Sequence, residues 1–175
     1  MRRAVSLLAT AVLLLAAGGG PALAAVVDGT DGEDDLTGTR APDSLFAAAG
    51  NDRLDGLAGG DLLSGQTGDD LFVDESGDDL LRGGPGDDLF AGNPGDDAMF
   101  GGDGDDIFLD DVGEDFISGG PGDDVISVPG FGPGPPELRT QSDEIRCGPG
   151  FDRVLAHPVD LVAGDCEIVR RTSGA

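Results

Sequence analysis

Between residues 29 and 127 the chain repeats every nine residues without an insertion or a deletion, and counting from Gly29 gives eleven units. Position six is Asp in every unit: Asp34, Asp43, Asp52, Asp61, Asp70, Asp79, Asp88, Asp97, Asp106, Asp115 and Asp124. Position eight is always large and apolar: Leu36, Leu45, Leu54, Leu63, Phe72, Leu81, Phe90, Met99, Phe108, Ile117 and Ile126. Position four is Gly in ten units, with Ala41 the exception, and position one is Gly in eight. A fixed register over so many short units is the mark of a solenoid, because each unit can bury its apolar residue only against its neighbours.

The pattern also suggests the local structure. Glycines at positions one and four permit the left-handed dihedrals of a tight turn. A three-residue strand follows, and side chains alternate along it, so position eight faces one way and positions seven and nine the other. Two units then make a coil of eighteen residues. The position-eight side chains stack into a narrow core between two parallel sheets.

Taken without its order, the composition would suggest disorder. The chain carries 35 acids, 29 of them Asp, against ten bases, all Arg, for a net charge of −25; Gly numbers 32, and Trp and Tyr are absent. The register overturns that expectation. The charge still disfavours nucleic acid and anionic membrane surfaces as partners.

Units such as Gly83-Gly84-Pro85-Gly86-Asp87-Asp88-Leu89-Phe90-Ala91 resemble the G-G-x-G-x-D-x-U-x nonapeptide of RTX (haemolysin-type) calcium-binding proteins, the parallel β-roll family. The resemblance implies an all-β, right-handed parallel β-roll holding several Ca²⁺ ions between turns stacked on one edge. It implies ligation by Asp34, Asp52, Asp61, Asp70, Asp79, Asp88, Asp97, Asp106, Asp115 and Asp124. With them go the turn glycines Gly65, Gly68, Gly83, Gly84, Gly86, Gly101, Gly102, Gly104, Gly119, Gly120 and Gly122. Carboxylates and backbone carbonyls are the hard oxygen donors that Ca²⁺ takes. The position-five acids Asp69, Asp78, Asp87, Asp96, Asp105 and Asp123 are expected to be mostly solvated or hydrogen-bonded to the turn.

The units differ by parity. The odd-numbered turns 65–70, 83–88, 101–106 and 119–124 keep both glycines and the Asp, and define three consecutive inter-turn sites. Among the even-numbered turns, 38–43 carries Arg40, Ala41 and Pro42, while 74–79 and 110–115 begin with two acids. The extra carboxylates would either add ligands or distort those turns, and Arg40 could replace an ion by bridging carboxylates. Outward strand positions of the odd units form an aliphatic stripe: Leu71, Val73, Leu89, Ala91, Ile107, Leu109 and Val125. The favoured expectation is that the chain's own tail covers it; the alternative is a protein partner or a second copy.

Outside the repeats, residues 1–24 read as a secretory signal peptide, with basic Arg2 and Arg3, an apolar run over 4–17 and a small-residue site at Ala22-Leu23-Ala24. The expected organisation is signal peptide 1–24, β-roll 25–127, Pro/Gly linker 128–137, and a roll continuation and cap over 138–175, where Asp143 and Ile145 resume the pattern. The expected location is extracellular, with no membrane span. In an exported chain Cys147 and Cys166 are expected to form a disulfide, two free thiols or an intermolecular bond being the alternatives. His157, the sole His, is expected to sit in a surface turn, and with two thiols makes an incomplete zinc set.

No G-x-S-x-G or H-E-x-x-H motif occurs, and a non-catalytic protein is expected. The function that follows is an exported protein in which calcium binding drives folding of a structural or binding module. The alternatives are an adhesin, matrix protein or oligomer using the aliphatic face, or an accessory fragment of an RTX enzyme or toxin.

Overall fold

A computed structural model of the chain describes residues 23–73, 75–91, 94–110, 112–128 and 142–172, so all but the last two residues of the expected leader and most of the expected linker lie outside the described residues. The described residues form short strands in chain order: β1 (Val26–Asp28), β2 (Asp35–Thr37), β3 (Ser44–Ala49), β4 (Arg53–Asp55), β5 (Leu62–Thr67), β6 (Leu71–Val73), β7 (Leu80–Pro85) and β8 (Leu89–Ala91). They continue with β9 (Ala98–Asp103), β10 (Ile107–Leu109), β11 (Phe116–Ser118), β12 (Val125–Val128), β13 (Glu144–Arg146), β14 (Arg153–Ala156), β15 (Leu161–Val162) and β16 (Ile168–Arg171). Odd-numbered strands build one eight-stranded parallel sheet and even-numbered strands a second. Successive strands therefore belong to opposite sheets, the topology of a parallel β-solenoid. Among the described residues no helix is long and apolar enough to cross a membrane.

Strand alternation decides what lies inside. Positions six, eight and one share a parity, and all three turn toward the interior. The position-eight residues from Leu36 to Ile126 are fully buried, joined by Ile145 and Val154. In the second sheet Phe72, Phe90 and Phe108 occupy successive coils, with ring centroids 4.6 Å apart and planes 5° from parallel. That separation is close to the spacing of hydrogen-bonded strands, so the rings stack at the pitch of the backbone.

Sixteen strands exceed the eleven that the repeats supply, because the flanking segments adopt the same strand-and-turn form without the full glycine pattern. Val27 precedes the first unit and lies in the core. After the last unit, β13 to β16 pair onto the ends of both sheets. The extra length between β12 and β13 leaves the pairing on either side of it in place. The Asp115 N–H bonds to Asp143 Oδ1 across twenty-eight residues, whereas the equivalent bond one coil earlier, from Asp97 to Asp115, spans eighteen.

Two expectations need correction here. The described tail, residues 142–172, lengthens the solenoid at its end and does not lie over the aliphatic stripe; Ile107 and Leu109 remain 40% and 47% exposed. The physical reason is that the open end of both sheets offers backbone pairing, which the side-chain stripe cannot. The described position-one glycines, for their part, do not take left-handed dihedrals. Those fall at position four, as in Gly68, Gly86, Gly104 and Gly122, and at position two, as in Gly84, Gly102 and Gly120.

Candidate metal centre

The alternation that buries position eight also buries position six. Every Asp of the ladder, from Asp34 to Asp124, and after it Asp143, Asp152 and Asp160, is at most 8% exposed. Each coil holds the next through these carboxylates. The Asp70 N–H donates to Asp88 Oδ1 at 2.8 Å, Asp88 to Asp106 at 2.9 Å, Asp106 to Asp124 at 2.9 Å and Asp124 to Asp152 at 2.9 Å. One carboxylate oxygen is thus consumed by the fold itself.

The other oxygen distinguishes the two edges of the roll. On the edge made by turns 47–52, 65–70, 83–88, 101–106, 119–124 and 147–152, the Oδ2 atoms of Asp52, Asp70, Asp88, Asp106, Asp124 and Asp152 are buried with no hydrogen-bond partner. We call this the glycine edge. A Cβ added at Gly65, Gly83, Gly101 or Gly119 would overlap the Oδ2 of the Asp in the same turn. At Gly83 it would also lie 2.6 Å from the Gly101 carbonyl oxygen, and at Gly101 2.6 Å from that of Gly119. Position one is glycine for space: an unpartnered carboxylate oxygen and a carbonyl oxygen of the next coil converge where a side chain would stand. A buried carboxylate oxygen without a donor is costly alone, and the carbonyl beside it keeps a second lone pair after accepting one N–H; a hard cation is the group that takes both. The residues present therefore fit calcium.

The position-four glycines have another cause. Gly104, at φ +142°, and Gly122, at φ +157°, are in a region closed to most side chains, and a Cβ on either would overlap the carbonyl of the glycine one coil before. Gly68 and Gly86 repeat this arrangement in the earlier coils. At position two, Gly84, Gly102 and Gly120 have φ of +127°, +126° and +121°, whereas Ala48, Leu57 and Gln66 occupy φ of +83°, +74° and +78° in the first coils. The left-handed requirement at position two was missed from the sequence because those three residues disguise it.

Turns at the N-terminal end supply donors to their own Oδ2, although Asp34 Oδ1 is left without a partner. The Thr30 N–H and hydroxyl both donate to Asp34 Oδ2, at 2.5 and 2.9 Å. The Thr39 N–H likewise donates to Asp43 Oδ2 and its hydroxyl to Oδ1. Threonine at position two supplies the donors that the later turns lack, which sets Asp34 apart from the six carboxylates with a free Oδ2. Arg40 does not bridge carboxylates as expected; it is exposed and makes no ion pair among the described residues, Thr39 having taken that role.

On the second edge, Asp61 Oδ2 is also buried and unpartnered, while Asp79, Asp97 and Asp115 continue the backbone ladder. There Asp110 stands at position one in place of glycine and is buried. Its carboxylate oxygen lies within 4.8 Å of those of Asp97 and Asp115. The inward parity of position one accounts for this gathering.

Position five carries a second ladder. The Asp87 N–H donates to Asp69 Oδ1, Asp105 to Asp87 Oδ1 and Asp123 to Asp105 Oδ1, at 3.1, 2.9 and 2.8 Å, and Asp96 to Asp78 Oδ1 at 3.1 Å on the other edge. These acids are exposed, as expected, yet their bonds run between coils and in the opposite sense to those of position six. The signal was their recurrence every eighteen residues.

Burial dominates the acid–base behaviour of the interior ladder. It pushes Asp88 and Asp115 up to about 8, Asp97, Asp106 and Asp143 to about 7, and Asp61, Asp70 and Asp124 to about 6. Asp52, Asp152 and Asp160 are raised by the same desolvation. Neighbouring carboxylates push upward as well, while the donated N–H groups oppose them for most of the ladder. An interior line of ionised carboxylates thus needs positive charge beside it.

Cys147 and Cys166 are joined by a disulfide, with their Cα atoms 5.3 Å apart. The intramolecular pairing expected from the sequence is the one formed. His157 lies in the short turn before β15, where its N–H donates to Asp160 Oδ2 at 2.5 Å.

A comparison with curated proteins found no match. The model of the RTX calcium-binding nonapeptide repeat, by contrast, matches in four copies over residues 28–63, 64–99 and 100–127, more than half of the chain. Coil, turn and inward Asp agree with that match, and the chain belongs to the RTX calcium-binding nonapeptide repeat family, as a calcium-binding structural repeat protein.

Proposed function

We propose that this is an exported, non-catalytic protein whose roll folds when calcium fills the glycine edge. The observation that carries the proposal is the row of unpartnered Oδ2 atoms on Asp70, Asp88, Asp106 and Asp124, each against a glycine of its own turn. A bound dication would neutralise the interior carboxylates and cross-link adjacent turns. The protein's part is to preset the donors: the backbone ladder orients each carboxylate, and the glycines bring carbonyls close. Without the ion, the ladder repels itself across a core one side chain thick, and little apolar burial opposes chain entropy. Binding free energy becomes folding free energy.

Extracellular calcium modules typically have dissociation constants of about 10⁻⁴ to 10⁻³ M. Such affinity would keep the chain open before export and fold it afterwards. Circular dichroism of the chain from residue 25, oxidised, should gain β signal on addition of millimolar calcium and lose it in EDTA. Equal spectra under both conditions would overturn the proposal. For export, the N-terminus of protein recovered from the culture medium should begin at Ala25.

A second role is supported by the outer face of β6, β8, β10 and β12, where Leu71, Val73, Leu89, Ala91, Ile107, Leu109 and Val125 form a carboxylate-free strip. An uncharged stripe on a chain of net charge −25 suits an adhesive or assembling module. A strictly monomeric calcium-loaded form in sedimentation would count against self-association through it.

A further inference from the structure

The glycine edge ends in an irregular way. Turns 65–70, 83–88, 101–106 and 119–124 begin with glycine, but the next turn on that edge begins with Cys147. By strand parity its side chain faces inward, and it is fully buried. Its carbonyl nevertheless repeats the position of the glycine carbonyls. The Gly120 N–H donates to it at 2.8 Å, as the Gly102 N–H donates to the Gly119 carbonyl at 3.0 Å. A Cβ at Gly119 would lie 2.7 Å from the Cys147 carbonyl oxygen and would overlap the unpartnered Asp124 Oδ2.

We propose that the Cys147 carbonyl is a ligand of the last ion site on the glycine edge, and that the Cys147–Cys166 disulfide sets the affinity of that one site. The proposal rests on the calcium reading above. In the earlier coils a turn is held on its far side by a further repeat turn. Beyond Cys147 the described residues offer a shortened turn, in which the Asp152 N–H bonds to Glu167 Oε2 fifteen residues ahead instead of eighteen. The disulfide anchors Cys147 to that last coil, and so fixes the carbonyl that completes the Asp124 site. In the final step of the stack a covalent link stands where an inter-turn ion would otherwise be needed.

Reduction by a dithiol transfers two electrons and two protons, breaking the S–S bond to give two cysteine thiols while the reductant closes to its own disulfide. Coupling between the two events is reciprocal. Reduction should weaken one calcium site, and calcium at that site should make the disulfide harder to reduce by the same factor. A coupling of about tenfold, within the usual range for linked sites, corresponds to about 30 mV for a two-electron couple.

The test is calcium titration by calorimetry on the oxidised chain, the dithiothreitol-reduced chain, Asp124→Asn, and reduced Asp124→Asn. Asn keeps the oxygen that accepts the Asp106 N–H but loses the charge. The expected result is that reduction and Asp124→Asn each weaken the same single site, and that reduction does nothing further in the Asp124→Asn chain. The redox midpoint should shift with calcium in the parent and not in that variant. Identical isotherms for oxidised and reduced parent, with calcium bound in both, would overturn this inference and leave the calcium reading standing. Loss of every site on reduction would also overturn it, since the bond would then hold the whole roll. Absence of calcium binding in all four samples would bring down the calcium reading and this inference together.

Discussion

The two edges of the roll use the same repeat and arrive at different chemistry. On the glycine edge, four successive turns from residue 65 to residue 124 leave position one without a side chain, and each inward carboxylate faces that space with an unpartnered oxygen. On the second edge, position one carries a buried carboxylate at Asp110, and the first turn closes on itself through Thr39. Both edges keep the backbone ladder at position six. The difference teaches that the ladder is a feature of the fold on both edges, whereas the open space beside the carboxylate is set by position one.

The largest effect expected from that distinction concerns the whole ion-free ladder. The interior acids are raised from about 3.8 when unfolded to values reaching about 8 at Asp88 and Asp115 in the ion-free fold. A carboxyl with a raised folded pKa contributes stability that is complete below the unfolded value and disappears as pH rises through the folded one. In EDTA the roll should therefore be most stable near pH 4 and should lose its β signal between about pH 6 and 8. In saturating calcium the trend should reverse, because the ion holds the carboxylates ionised. A β signal in EDTA that strengthens with rising pH would refute this account.

Next in size is a paired substitution across the edges. Asp88→Ala should remove ligands from the two stacked steps its turn shares, each ion being worth about 2.7 kcal/mol at calcium a hundredfold above its dissociation constant. Asp43→Ala, in the threonine-closed turn of the second edge, should cost about 1–3 kcal/mol from buried N–H groups left unpaired. Calcium-loaded thermal unfolding ranks the two, and equal losses would erase the distinction between edges. A smaller effect is expected for Gly101→Ala, whose methyl group would meet Asp106 Oδ2 and the Gly119 carbonyl. Overpacking of this kind costs about 1–3 kcal/mol. Its calcium stoichiometry should fall as well; an unchanged stoichiometry would show that position one is not the site.

The smallest change is expected at position two. Gln66 holds a left-handed backbone that costs a side-chain-bearing residue about 1–2 kcal/mol. Glycine in its place would relieve that strain at an entropic cost of about 0.5–1 kcal/mol. Gln66→Gly should thus shift stability by less than about 1 kcal/mol, measured by denaturant unfolding in calcium. The reverse change, Gly102→Gln, should be clearly destabilising.

Much of this architecture was legible in the order of residues. The nine-residue register gave the coils, the position-eight residues gave the core, and parity singled out the turns from Gly65 to Asp124. What escaped was whatever depends on contact between coils rather than on sequence within one. Position five and position six look alike in the dipeptide Asp87-Asp88, yet one bonds backward along the solenoid and the other forward. Thr30 and Thr39 look like ordinary turn residues until their donors meet Asp34 and Asp43. The closing strands β15 and β16 fall within the roll continuation expected over 138–175, whereas β1 escaped because it precedes the first unit and lacks its glycines.

The longer segment between β12 and β13 has a consequence for how such a chain can change. Added length there leaves the flanking pairs Phe116–Glu144 and Val125–Arg153 in register. The second edge can therefore carry inserted sequence as cargo, while on the glycine edge the proposed ion sites would require one spacing throughout and leave no such freedom. New functions grafted onto a roll of this kind would be expected to enter from one side alone, giving an otherwise monotonous rod a front and a back.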